Sequence, residues 1–175
     1  EFKDAKKIYE LITEVGKNFN LSNCGMHTMD VMRMESGFLH WGHDISPEEN
    51  QYEAGLNFAI SYKKNVKFIG RDTLLKIKDK KLNKRFVMLC LKDSNPGEPL
   101  LLHDEPIYLD DRIIGVTTSG NFSFNYNKNL SFGYIKSDLS KDELSKKNLY
   151  IEIEKNKYSA EILLKPLKQT DFKNL

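Results

Sequence analysis

Apolar positions near the start of the chain repeat at helical spacing. In DAKKIYELITEV, residues 4–15, Ala5, Ile8, Ile12 and Val15 share one face, and Tyr9 and Leu11 widen the stripe. Asp4 stands where a cap is needed and Gly16 where a helix can end. Residues 27–36 predict a second, shorter helix, with Val31, Met32 and Met34 among its apolar positions and Gly37 as its stop. The polar run SPEENQ follows. From Ala54 to Ile60 the period drops to two. Ala54, Leu56, Phe58 and Ile60 then share one face, which predicts a strand. FIGRDTLLKIKDKKL predicts a turn and a helix with Leu74, Leu75 and Ile77 inward. In KLNKR charge and asparagine displace the apolar pattern, as in a linker.

After Arg85 the pattern is β throughout. FVMLCL is a short apolar run of the kind that makes a buried strand. PIYL and RIIGVTTS flank Asp110-Asp111, a hairpin turn. LSFGYI and LYIEIE follow, and KYSAEILL returns after a turn at Lys155-Asn156. KDELSKK, residues 141–147, reads as a solvated loop or helical turn. Short strands at this spacing predict a barrel or sandwich. The expected plan is therefore α+β: a mixed α/β region over residues 1–82, then an all-β domain over 83–175.

Composition narrows the class. With 39% apolar and 30% charged residues the chain is globular and not disordered. Lys+Arg 27 against Asp+Glu 25 gives a net charge of only +2, so there is no electrostatic case for nucleic acid as partner. No apolar run approaches the ~20 residues that span a bilayer, and no signal peptide opens the chain. Cys24 and Cys90 belong to no C-x-x-C or Cys/His spacing. They read as free thiols in a reducing compartment. Asn20, Asn121 and Asn129 each begin an N-x-S triplet, which chance accounts for in a chain this rich in Asn and Ser. The first residue is Glu1, which fits a piece of a longer polypeptide.

The stretch MRMESGFLHWGHD, residues 32–44, carries the candidate chemistry. An acid at a helix end can leave the packed face and point into a cleft. Glu35 there could accept two parallel N–H bonds from a flat, guanidine-like edge, such as a pterin or guanine presents. From the residues alone the commoner outcome is a surface acid paired with Arg33 or a nearby lysine. Trp41 and Phe38 could wall a pocket for a flat ring, or pack in the core. His40 and His43 are a poor metal signal, because no third ligand completes the spacing, and His27 and His103 stand alone. No metal site is expected. FIGRD holds one glycine before a helix, a weak anion signal. TTSGNFSFNY, residues 117–126, mixes hydroxyls, glycine and aromatics. It reads as a tight turn in a barrel wall, with a pocket lining as the other reading. No G-x-S-x-G, P-loop or G-x-G-x-x-G occurs.

The order of segments adds to this. MRMESGFLHWGHDISPEENQYEAGLNFAI, then FIGRDTLL, then EPIYLDDRIIGVTTSGNFSFNYNKNLSFGYI, then AEILLKPL resembles the C-terminal half of the glycine-cleavage T-protein family. HWGHD between the helix and EAGL is similar to the folate-binding portion of dimethylglycine and sarcosine dehydrogenases. The resemblance covers nearly the whole chain, to Pro166. It implies a tetrahydrofolate-dependent aminomethyltransferase fold with a C-terminal Greek-key β-barrel. It places Glu35 at the family's pterin-binding acid; Trp41, as the candidate pocket wall, is the aromatic residue expected to bind the cofactor. Lys63 or Lys64 in SYKKN stands where relatives carry a basic residue near the folate, and Lys64 is favoured. Lysine there lacks the bidentate fork of an arginine.

The family's catalytic aspartate lies N-terminal to the pterin-binding acid. No matching segment precedes Glu35, so no catalytic residue is assigned and the chain alone is not expected to complete the reaction. The resemblance implies fusion to a flavin-binding domain. FAD would bind only through that upstream domain, since no dinucleotide fingerprint occurs here. The expected partners are folate, a small methylamine-derived substrate and upstream domains of the same polypeptide, with no nucleic acid and no membrane. The expected location is the cytoplasm, or the mitochondrial matrix in a eukaryote. The alternative is a folate-binding regulatory module without turnover. The RNA-modification branch of the superfamily carries a lysine-glycine-cysteine motif that is missing here. Sulfonium demethylases share the fold but are disfavoured by the HWGHD form.

Overall fold

A computed structural model describes residues 2–64, 67–136, 138–139, 144, 148–163 and 165–167. The loop expected at 141–147 lies outside them apart from Leu144. The N-terminal part holds helices α1 (Ala5–Gly16), α2 (Met26–Glu35) and α3 (Arg71–Ile77). Among the described residues six strands follow: β1 (Lys84–Leu91), β2 (Pro106–Leu109), β3 (Arg112–Ser123), β4 (Lys128–Lys136), β5 (Leu149–Ile153) and β6 (Asn156–Leu163). They close into an antiparallel barrel in the order β1-β4-β3-β2-β5-β6. Strands β2, β3 and β4 are consecutive neighbours, and β4 returns beside β1, which is the Greek-key connection.

Alternation builds the barrel core. Leu149, Ile151 and Ile153 of β5 point inward while Tyr150 and Glu152 do not. From Phe86 onward β1 is apolar without a break because both of its faces are covered. Val87, Leu89 and Leu91 fill the barrel, and Cys90 faces a second cluster with Met34, Leu130 and Phe132, against which Phe86 and Met88 pack. That second cluster seats α2 on the outside of the barrel. Burying Met34 there is worth about 1.5–3 kcal/mol.

The hairpins close where turn chemistry allows. Leu109 pairs with Arg112, so Asp110-Asp111 is the two-residue turn expected, with Asp110 at φ 53°. The β5–β6 turn falls at Glu154-Lys155, both at positive φ, one residue earlier than expected. Gly37 has φ 75°, and a Cβ on it would lie 2.6 Å from Pro166 Cγ. Conformation and space both require glycine at this helix stop.

Three expectations change. Residues 54–60 are not a strand: Asn50 Oδ1 accepts from the N–H groups of Tyr52 and Glu53, Leu56 N–H donates to Gln51 O at 2.8 Å, and Asn57–Ala59 is a 3₁₀ turn. Local bonds win there because no neighbouring strand among the described residues offers a ladder. Phe58 is consequently exposed. In α3, Leu74 and Ile77 are half-buried while Leu75 is exposed. The apolar stripe of α1 (Ile8, Ile12, Val15) is exposed among the described residues.

Candidate functional site

Arg33, Met34 and Glu35 end α2, and helical geometry turns successive side chains by about 100°. Met34 goes into the apolar seat on the barrel. Arg33 and Glu35 therefore leave on either side of it, and each meets a different part of β3.

Glu35 is 2% exposed. Its Oε1 accepts from Ser123 Oγ at 2.5 Å, and the Asn125 amide donates to Oε1 at 3.2 Å and Oε2 at 3.1 Å. Ser123 is buried at the end of β3, and its Oγ accepts from Tyr126 N–H at 3.2 Å. Among the described residues no cation pairs with Glu35. Arg33, the neighbour that could have neutralised it, is engaged elsewhere. A buried carboxylate offers about four lone-pair sites, and here only two neutral groups address them. The remaining lone pairs are what the donor groups of a ligand could address.

Arg33 belongs to a second cluster. Its Nε donates to Asp30 at 2.6 Å, Nη1 to Asp44 Oδ2 at 2.6 Å, and Nη2 to Ser119 Oγ at 2.8 Å. Asp44 also accepts from His40 N–H at 2.8 Å, Thr118 Oγ1 at 2.6 Å and Ser119 Oγ at 2.8 Å. Two consecutive hydroxyls reach one carboxylate because β3 is irregular there. Thr117 pairs with Gly133 and Ser119 with Phe132, so Thr118 is the extra residue of a bulge. In a regular strand the two side chains would point to opposite faces. The cluster explains HWGHD as a strap tying the loop after α2 to the barrel.

A third tie lies further along. Glu49 accepts from Lys84 Nζ at 2.5 Å and from Ser46 N–H and Oγ at 2.8 and 2.7 Å. Partial burial acts to raise the Glu49 pKa, but the bonds from Lys84 and Ser46 outweigh it, and the carboxyl is held below its ordinary value.

Among the described residues no side-chain bond joins Trp41, Lys63 or Lys64 to Glu35, and Phe38 and His40 meet the Arg33–Asp44 cluster through their backbones. Trp41 is 64% exposed and forms an isolated backbone bridge with Ile45; Phe38 is half-exposed. Neither is core. Lys63 and Lys64 are exposed. The His40 and His43 rings lie tilted against each other with centroids 4.6 Å apart. His27 and His103, which sequence spacing leaves isolated, join them around a cavity of about 290 Å³ between α2 and β3. No group of three His, Cys, Asp or Glu among the described residues is placed to hold a metal. Ser119, Ser123 and Asn125 lie inside TTSGNFSFNY, most of which is strand and not turn. A run of hydroxyls on a strand facing two acids was the signal available.

Two family models match the sequence: the GCVT N-terminal domain over residues 1–64 and the glycine cleavage T-protein C-terminal barrel domain over residues 84–168. The chain belongs to the glycine cleavage T-protein family. A mitochondrial dimethylglycine dehydrogenase of Rattus norvegicus is 32% identical over 171 residues, which is 97% of this chain and 19% of that protein. An aminomethyltransferase of Symbiobacterium thermophilum is 34% identical over 133 residues, 76% of this chain and 34% of that protein. The crystal structure of aminomethyltransferase T of the glycine cleavage system from Bartonella henselae superposes with a TM-score of 0.75 at 19% identity, covering 91% of this chain and 43% of that one. This family member thus spans about a fifth of the dehydrogenase and a third of the transferase. No described helix is long and apolar enough to cross a membrane.

Proposed function

We propose that this chain is the folate-binding part of a tetrahydrofolate-dependent aminomethyl or one-carbon transferase, of the dimethylglycine or sarcosine dehydrogenase kind. Glu35 is its pterin acid. The observation that carries this reading is a nearly wholly buried carboxylate held only by a hydroxyl and an amide, with no cation paired to it among the described residues. Burying a charge without a counter-charge is costly, and a site that takes a charge-poor donor edge is a reason to keep it. A reduced pterin presents such an edge. Trp41 and Phe38, both exposed in the loop after α2, are the aromatic side chains this reading assigns to the ring. Lys64 offers an ammonium to the carboxylate tail, as a point charge.

Tetrahydrofolate, when bound, supplies the nitrogen that accepts a one-carbon unit. The residues here bind and orient it, and the reacting group of the protein lies elsewhere in the polypeptide. In this reading residues 1–82 form part of the folate-binding region and 83–175 the barrel domain. Any FAD is held by another domain, the substrate is a small methylated amine, and the compartment is the cytoplasm or the mitochondrial matrix. Calorimetry with 5-formyltetrahydrofolate on the full-length polypeptide tests the assignment. Glu35→Gln is expected to lose about 1.5–3 kcal/mol of binding, tenfold or more. An unchanged affinity would remove Glu35 from the site.

A further inference from the structure

We propose that Asn125 is a placeholder on the Glu35 carboxylate, displaced by the paired N–H groups of the incoming ligand. The inference rests on the pterin reading of Glu35. Its amide nitrogen lies 3.2 Å from Oε1 and 3.1 Å from Oε2, astride the carboxylate. A flat edge with two parallel N–H groups needs that same approach. The two cannot hold both oxygens at once.

The two donors to Glu35 differ in kind. Ser123 takes one oxygen at 2.5 Å and is fully buried in β3, where its own Oγ receives Tyr126 N–H. It orients the acid. Asn125 is exposed in the four-residue turn that joins β3 to β4, beside Asn127 at φ 51°. One N–H shared between two acceptors serves each less well than two separate donors would. An empty site with no such donor would leave a buried acceptor unsatisfied. Asn125 therefore satisfies the acid while the site is vacant and gives way to a better-matched donor pair.

The test is calorimetry with 5-formyltetrahydrofolate on the full-length polypeptide carrying Asn125→Ala, Asn125→Ser or Glu35→Gln. Removing a competitor for the acid is expected to tighten binding about threefold to tenfold in both Asn125 variants, while Glu35→Gln weakens it. Serine is the second variant because its shorter side chain cannot span both oxygens. Should the Asn125 variants bind equally or more weakly while Glu35→Gln still loses affinity, the placeholder idea fails and the pterin assignment stands. No binding by the wild-type protein, or a Glu35→Gln affinity equal to wild type, overturns both.

Discussion

Removing the Asp44 carboxylate is the sharpest perturbation of the strap between α2 and the barrel. Its side chain is fully buried and accepts four hydrogen bonds, one of them from the Arg33 guanidinium. The Arg33 side chain is 13% exposed and keeps Asp30 as a counter-charge after Asp44→Ala. Breaking a buried ion pair from one side costs about 3–5 kcal/mol. The surviving Asp30 contact moves the estimate to the lower end, about 3 kcal/mol, a large share of the roughly 5–15 kcal/mol that holds a domain. Asp44→Asn should cost about half as much. Its carbonyl oxygen can still face Arg33 and His40 N–H, while the new amide donates to Thr118 and Ser119, whose hydroxyls can turn to accept. Urea unfolding gives both numbers from the midpoint at constant slope. A cycle with Arg33→Met adds a second check. The double variant should be more stable than the two single losses predict, by about 1 kcal/mol or more, because neither Arg33 nor Asp44 is left buried without the other, and Asp30, at 30% exposure, reaches water. An Asp44→Ala variant within about 0.5 kcal/mol of wild type, or a cycle with no coupling, would refute the reasoning.

Two further outcomes follow from the titratable groups. Cys90 is fully buried, and burial, then its bond to Glu161, pushes its thiol up to about 12, whereas Cys24 is exposed. An aromatic disulfide reagent at about pH 8 should therefore titrate one thiol in the native protein and two after denaturation; rapid labelling of both in the native state would contradict it. Glu49 has its folded pKa below the ordinary 4.5, so the folded state binds fewer protons. Its contribution to stability is full above that ordinary value and is lost as pH falls through the folded one. Glu49→Gln should flatten the acid limb of a stability–pH curve, and an unchanged limb would show that Lys84 and Ser46 do not hold the carboxylate.

What was legible in the sequence was whatever depends on local period. β1 to β6 and α2 answer to alternation, apolar runs and the Gly37 stop, and all are present. Residues 54–60 misled because alternation alone cannot tell a strand from a turn that happens to alternate. Asn50 and the Gln51–Leu56 bond decide it locally. The acid at position 35 was legible as an unusual carboxylate, but its partners were not. Ser123 and Asn125 lie 88 and 90 residues away, and nothing in a one-dimensional pattern joins them to it. The Thr118 bulge was hidden for a related reason. It is a defect in pairing with β4, visible only once the partner strand is in register.

These long-range pairs bear on why the barrel belongs to the site at all. Helix α2 delivers a carboxylate, yet a free glutamate at a helix end samples many rotamers. Both groups that fix its direction come from the end of β3 and the turn after it. Met34 between the two polar residues locks the helix to the barrel face, and Arg33 pins the following loop through Asp44 and Ser119 to the same strand. Three successive residues thus couple one helix to the barrel by three different interactions, Met34 on β1 and β4 and its two neighbours on β3. The apolar contact fixes distance, the ion pair fixes the loop, and the Ser123 bond fixes the acid. The barrel then orients the Glu35 carboxylate of the candidate site, although that residue lies in the N-terminal part.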